Sequence, residues 1–398
     1  MTEAINRGLL PAGLPDLLPS DAAHEAGTVE RLMAEFARHG YERVKPPLIE
    51  FEASLLAGAG QAVANQSFRL MDPVSQSMLA LRADITPQVA RIATTRLRNE
   101  PRPLRLSYAG QVLRTRGTQL RPEREFGQAG VELIGAFQPA ADAEVVVLAA
   151  RALRAAGVEG LSVDLNVPTL VPAACRALDL GVEETTRLRA ALDRRDAADV
   201  AAVGGRAGEL ALALMAASGP AERAIGRLAA LDLPSAAEAD RARLTEVVRL
   251  VREAAPDLML TVDPVEHRGF EYQTGTSFTL FARGVRGELG RGGRYRAHGA
   301  AGGIAASADA EPAAGEPSTG FTLYLDTVVR AVPVPAAPAR LYLPFGTPAA
   351  EAARRRADGW ITVAALEPAA DPAAEAGRLR CSHVLADGRP REIASGDL

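Results

Sequence analysis

Aromatic residues make up only 4% of the 398-residue chain, which argues against a broad stacking platform for single-stranded nucleic acid. Positive charge is not in surplus either. A net charge of −4 and a pI of about 5.9 exclude a strongly basic nucleic-acid binder, although a local basic groove stays open. Cysteine is scarce: Cys175 and Cys381 lie far apart, and the five histidines (His24, His39, His267, His298, His383) show no ligand spacing. The expectation is a reducing compartment, no disulfide framework and no structural zinc. No apolar run reaches the ~18 residues of a membrane helix. The opening MTEAINRGLLPAGLPDLLP lacks the continuous apolar segment of a secretory leader. A cytoplasmic protein is expected.

What is present is ordinary for a soluble globular protein, 47% hydrophobic and 24% charged, and the length calls for more than one domain. The reading is organised around residues 104–135. In the second half of this stretch Arg124, Phe126, Gln128, Gly130, Glu132 and Ile134 fall on one side of an extended strand. Glu125, Gly127, Ala129, Val131 and Leu133 fall on the other. Gln128 and Glu132 are ~13 Å apart along such a strand with only Gly130 between them. Two readings fit: side chains gripping a small polar molecule over a bare glycine floor, or a solvent-facing polar strip on an antiparallel sheet.

In chain order, Ser20 or Asp21 is suited to cap a helix that carries Val29, Leu32, Met33 and Phe36 inward and stops at Gly40. A strand at 41–44 follows, then short strands at 68–71 and 78–82 joined by Asp72-Pro73-Val74-Ser75. Thr86 as cap and Pro87 at the first helical position start a helix over 88–99. Val89, Ile92 and Leu97 should face inward, with Arg91, Arg96 and Arg98 outward. Antiparallel strands occupy 104–135 around a mobile loop at 117–123, and a helix at 140–156 ends at Gly157. After a short strand at 161–166, the Ala/Leu/Arg-rich residues 169–254 read as an inserted helical subdomain. Strands resume at 260–282 and 288–295. The Gly/Ala-rich segment 300–317 is expected to be a mobile loop, and 319–332 a helix with a short strand leading in. A proline-stiffened linker at 331–339 separates a core at 1–330 from a small α/β unit at 340–398. The fold class is α+β: an antiparallel sheet flanked by helices, with a helical insertion and a small α/β C-terminal domain.

Several stretches together resemble the class II aminoacyl-tRNA synthetases. Residues 39–50, HGYERVKPPLIE, resemble the first class II motif, which builds a dimer interface. Residues 108–135 resemble the second, with Arg114 at its phosphate-binding arginine. EHRGFEYQTGTSF at 266–278, GGRY at 292–295 and LALRADITPQVAR at 79–91 resemble signatures of histidyl-tRNA synthetase. The resemblance covers residues 8 to about 330. It implies a class II synthetase-like fold and a histidine pocket to which Arg114 also belongs. Asp84 and Thr86 match positions that hold the α-amino group, and Gln128 one that bridges amino and carboxylate groups. Glu132 matches the carboxylate facing the imidazole, Arg268 the arginine at the substrate carboxylate, and Tyr272 and Tyr295 aromatic walls. The residue types suit a zwitterion, since charge-assisted hydrogen bonds are worth roughly 1.5–3 kcal/mol each.

The departures carry as much information. The third class II motif holds ATP with an arginine where this chain has Thr327, and Tyr324 fills a glycine position. The acidic residue of the second motif becomes Arg116. Losing one preorganised donor at a developing charge costs ~2.7–4 kcal/mol. At the histidine end, Asp84 is shorter than the family's glutamate and Gln273 replaces a tyrosine. Residues 340–398 resemble an anticodon-binding domain cut short, whose one basic run is Arg354, Arg355 and Arg356, a solvated helix face or an RNA contact. A histidine pocket without an ATP clamp is similar to a paralogous family, the regulatory subunits of ATP phosphoribosyltransferase. That resemblance implies a non-catalytic subunit with no cofactor and histidine as allosteric ligand. It also implies a short-form catalytic subunit as partner and a hetero-octamer around a homodimeric core. Two alternatives remain: a divergent histidyl-tRNA synthetase, and a histidine-sensing binding protein with another partner.

Overall fold

In a computed structural model the chain is described over residues 9–56, 64–119, 121–267, 272–297 and 315–393. It divides into two units, the first ending at Pro333. Strands of the first unit, in chain order, are β1 (Glu42–Arg43), β2 (Ile49–Phe51), β3 (Arg69–Met71), β4 (Met78–Leu81), β5 (Leu104–Leu113) and β6 (Glu125–Ile134). They continue with β7 (Leu161–Asn166), β8 (Gly219–Pro220), β9 (Met259–Asp263), β10 (Ser277–Ala282), β11 (Gly290–Ala297) and β12 (Glu316–Tyr324). Nine of them form one sheet in the order β1-β5-β6-β12-β11-β10-β7-β9-β8, antiparallel at its centre. A separate three-stranded sheet runs β2-β4-β3.

Period-two alternation gives the large sheet two unlike faces. Ala129, Val131 and Leu133 of β6, Phe321 and Leu323 of β12, Phe278 and Leu280 of β10 and Val163 and Leu165 of β7 share one apolar cluster. Helix Pro19–Arg38 covers it with Leu32, Met33 and Phe36, the Phe36 ring meeting Phe321 edge-on at 5.6 Å. Helix Pro139–Ala156 adds Val145, Val146, Leu148, Ala149 and Leu153. Each fully buried branched side chain contributes about 1.5–3 kcal/mol. Gly157 ends helix Pro139–Ala156 at φ 105°, a left-handed conformation that glycine adopts without a Cβ penalty. Between β7 and β9 the chain makes the helical insertion, from Leu170–Ala177 to Ser235–Ala254, and its last helix extends the same apolar cluster.

Several local expectations are corrected. Helix Pro19–Arg38 begins after Leu18 and no side chain caps it, so Ser20 and Asp21 lie inside its first turn. The helix expected over 88–99 runs Thr86–Thr95, with Ile85 before it; Thr86 is not the cap, because its hydroxyl turns into the protein. Arg91 is not a free outward cation. Its Nε donates to Glu50 Oε2 at 3.0 Å, and the pair is largely shielded from solvent. Residues 319–324 are strand rather than helix, and the helix covers only Leu325–Ala331. The reason is two-sided pairing: β12 is hydrogen-bonded to β6 on one flank and β11 on the other, and its Thr, Phe and Tyr side chains suit a strand buried on both faces. The 117–123 loop is tied down at its described positions. Arg121 Nε donates to Asp326 Oδ2 at 2.8 Å, and the nearby Arg124 N–H donates to the Gly13 carbonyl at 2.8 Å. Most of the 300–317 segment lies outside the described residues.

The second unit holds parallel strands β13 (Arg340–Leu343), β14 (Ile361–Ala364) and β15 (His383–Ala386), closed by antiparallel β16 (Arg389–Glu392). Asp371 caps its helix Pro372–Arg378 by accepting from the Ala373 and Ala374 N–H groups at 2.8 and 3.2 Å. Arg354 and Arg355 both pair with Glu351 within helix Ala349–Ala357.

Candidate functional site

The face of the large sheet opposite the apolar cluster is polar and floored with glycine. Residues paired directly across strands share a face. One such rung runs Leu106, Glu132, Gly320, Gly293 and Ser277; the next runs Tyr108, Gly130, Thr322 and Arg291. The strip containing Gln128 and Glu132 is therefore not solvent-facing: Gln128 is 0% and Glu132 1% exposed. A polar atom overhangs each of three glycines where a side chain would otherwise stand. The Tyr108 hydroxyl lies over Gly130 and the Glu132 carboxylate over Gly320. Over Gly293 lies Gln273 Oε1, 2.8 Å from where a Cβ would be.

At one end of this recess the residues at 84–86, where the chain passes from β4 into helix Thr86–Thr95, meet the sheet. Gln128 donates through Nε2 to Asp84 Oδ2 at 3.1 Å, and its Oε1 accepts from the Ile85 N–H at 3.1 Å. Asp84 Oδ1 accepts from the Thr86 N–H at 2.9 Å. The Gln128 amide is thus engaged at both ends, by Asp84 and by the Ile85 backbone. The Thr86 hydroxyl lies 3.3 Å from the Tyr108 hydroxyl, which lies 2.7 Å from that of Thr322. The Tyr295 hydroxyl donates to Glu132 Oε2 at 2.8 Å, and the Tyr272 ring meets Tyr295 edge-on at 6.5 Å.

Electrostatics follow from burial. Desolvation pushes the Glu132 carboxyl from its ordinary 4.5 up to about 8; the hydrogen bond from Tyr295 pulls the other way and the nearby Asp84 charge adds to the rise. Desolvation first, then the Glu132 charge, raises the Tyr108 and Tyr295 phenols well above their usual range, so both stay protonated as donors. Asp84, Glu132 and the surrounding hydroxyls make a site rich in acceptors, chemistry that suits an ammonium group and ring N–H groups.

Of the residues singled out from sequence, Asp84, Thr86, Gln128, Glu132, Tyr272 and Tyr295 are brought together. Arg114 stands at the edge, its Nε 3.4 Å from the Ala83 carbonyl and its guanidinium 5.0 Å from the Phe126 ring centroid. Arg268 lies outside the described residues. Tyr108 and Thr322 were missed. Their signal was the large-against-small pairing of Tyr108 with Gly130, visible only once the register is known. Beyond Gln128 lies Tyr324, and the Arg121 guanidinium sits 3.9 Å from its ring centroid and 5.1 Å from that of Phe126. Thr327 is buried and its hydroxyl accepts from Arg330 at 3.3 Å; Arg116 is exposed.

Cys175 and Cys381 are both free and buried. Among the described residues no group of three or more His, Cys, Asp or Glu side chains is placed to hold a metal ion, and no helix is long and apolar enough to cross a membrane.

Comparison with known proteins places this geometry. The family model described as histidyl-tRNA synthetase matches residues 13–328. The ATP phosphoribosyltransferase regulatory subunit of Rhodospirillum centenum is 65% identical, over 97% of this chain and 96% of that protein. The protein of the same description from Paramagnetospirillum magneticum is 60% identical, over 97% and 98%. A crystal structure described as an ATP phosphoribosyltransferase regulatory subunit/histidyl-tRNA synthetase from Bacillus halodurans shares the fold. Its TM-score is 0.78 at 24% identity, covering 93% of this chain and 96% of that one. With a synthetase-like sheet, a polar glycine-floored recess and relatives matched almost end to end, the chain belongs to the family of ATP phosphoribosyltransferase regulatory subunits, built on a histidyl-tRNA synthetase domain.

Proposed function

We propose that this chain is the non-catalytic, histidine-sensing subunit of an ATP phosphoribosyltransferase and mediates feedback inhibition at the first step of histidine biosynthesis. The observation that carries the reading is the pairing of a retained amino-acid recess with a lost nucleotide clamp. Asp84, Thr86, Glu132 and Tyr295 converge on one face of the sheet. On the neighbouring side, Arg121 packs against Phe126 and Tyr324 and pairs with Asp326, while Thr327 stands where the synthetase motif has arginine. The absent arginine and the engagement of Arg121 within the protein support the loss of a nucleotide clamp.

In this reading the Asp84 carboxylate and the Thr86 hydroxyl take the α-amino group, Glu132 takes the ring, and Tyr272 and Tyr295 wall it. Arg114 stands at the edge of the pocket, and Arg268 belongs to the carboxylate end. No cofactor is needed. The partner is a short-form catalytic subunit, in a hetero-octamer with a homodimeric core of this chain. Inhibition requires that histidine bind one quaternary state better than another, because a ligand of equal affinity for both shifts nothing.

The test is reconstitution. Mixed with a short-form catalytic subunit, the chain should support phosphoribosyl transfer that histidine suppresses. Alone, it should show no histidine-dependent ATP–pyrophosphate exchange. Exchange at an enzymatic rate would make it a divergent synthetase instead. Failure to associate with the catalytic chain, with histidine still bound, would point to a sensor with another partner.

A further inference from the structure

The rung of the large sheet that carries Glu132 does not stop at Ser277. It continues through Asn166 of β7 to Asp263, the last residue of β9, so Glu132 and Asp263 stand on one face, five strand spacings or roughly 24 Å apart. At its Asp263 end the rung is gripped by the helical insertion. Ser218 Oγ donates to Asp263 Oδ1 at 3.0 Å, Arg195 forms an ion pair with Asp263 Oδ2, and Arg195 Nη1 donates to Ser218 Oγ at 3.3 Å. Asp263 Oδ1 also accepts from the Val265 N–H at 3.2 Å. Two residues further on, His267 Nδ1 lies 3.2 Å from Asp193 Oδ1, and both of these side chains are less than a fifth exposed. Three side chains of the insertion thus hold residues 263–267 at both ends, and the next residue in sequence is Arg268.

Arginine at 195 is not what the backbone asks for. Helix Val182–Asp193 closes with the Asp196 N–H on the Ala191 carbonyl and the Arg195 N–H on the Leu192 carbonyl, both at 3.0 Å, and Arg195 takes up the left-handed region at φ 54°. Glycine commonly fills that position, and a side chain there costs about 1–2 kcal/mol. The guanidinium that comes with this cost is spent on Asp263 and Ser218. The insertion is already held to the sheet by the apolar cluster, a non-directional contact. The polar pairs are directional, and they converge on the short segment that leads to the ligand's carboxylate end. We infer that Asp193 and Arg195 are positioning residues for the ligand site: by holding 263–267 they set the carboxylate end of the pocket, and ligand affinity depends on how the insertion is seated. The inference rests on the histidine reading above, in which Arg268 belongs to the carboxylate end. Both residues act through the segment rather than on the ligand.

The test is calorimetric titration of the full-length chain with L-histidine and with L-histidinol, which carries an alcohol in place of the carboxylate. Arg195→Gly suits the left-handed turn, so the helix end keeps its form while Asp263 loses its partner. This variant and Asp193→Ala should each lose about tenfold in histidine affinity, with histidinol affinity unchanged. Asp193→Asn keeps an acceptor for His267 and should lose less than Asp193→Ala. Unchanged histidine affinity in both Arg195→Gly and Asp193→Ala would overturn the positioning role while leaving the histidine reading intact. An equal loss for both ligands would also overturn it, since that is the mark of a purely structural defect. If the wild-type chain binds no histidine, the underlying reading falls and the positioning role falls with it.

Discussion

Gly320 lies directly beneath the Glu132 carboxylate: a single carbon added at Gly320 would collide with Glu132 Oε2 and with the Val131 carbonyl. The two residues are paired across β12 and β6, so the clash cannot be relieved by sliding one strand without moving the rung. Gly320→Ala should therefore displace the Glu132 side chain and strain the ladder. The expected outcome is destabilisation by roughly 1–3 kcal/mol, the usual cost of overpacking, together with loss of histidine binding. Chemical denaturation and calorimetric titration check the two parts separately. Wild-type histidine affinity in Gly320→Ala would show that the carboxylate does not act from this position.

Glu132 also makes a pH prediction whose sign is fixed. Its carboxyl is raised by burial from 4.5 to about 8, so the folded state binds the proton more tightly than the unfolded chain. Its contribution is fully present below about pH 4.5 and is lost as pH rises through 8. Glu132→Gln removes this dependence. Without histidine, the stability of the variant relative to wild type should climb between these limits, by up to ~1.4 kcal/mol per pH unit. Melting curves across that window measure it. A constant offset between the two proteins would contradict the protonated, buried carboxyl.

Behind the recess, Arg294 and Arg243 share the carboxylate of Asp142, and all three side chains are largely or fully buried. Arg294 also donates to the Ala136 carbonyl at 2.8 Å. Asp142→Ala would leave two buried guanidinium groups without their counter-charge. Removal of one partner from such a group costs about 3–5 kcal/mol, and the denaturation midpoint should fall accordingly. An effect below ~1 kcal/mol would mean that water reaches the arginines.

The sequence disclosed the sheet wherever one strand's pattern was sufficient. The alternation in residues 124–134 and the Gly157 stop both depend on local periodicity and turn chemistry. Facts that depend on two strands at once were out of reach. Tyr108 overhanging Gly130, and Gln128 spending its amide on Asp84 and Ile85, join segments about twenty and forty residues apart. The stretch 319–324 reads as helix on its own for the same reason, because only its two flanking strands explain why it extends rather than coils. Thr86 looked like a cap from its neighbours; the pull of the buried Tyr108 and Thr322 hydroxyls could not be seen from residues 84–90.

The most direct measurement is a histidine titration of phosphoribosyl transfer by the reconstituted complex, with wild-type chain and with Glu132→Ala in parallel. Both complexes should assemble and turn over at similar rates without histidine. Histidine should inhibit the wild-type complex and leave the variant largely uninhibited. Identical inhibition curves would contradict the account, because the buried carboxylate would then have no part in sensing.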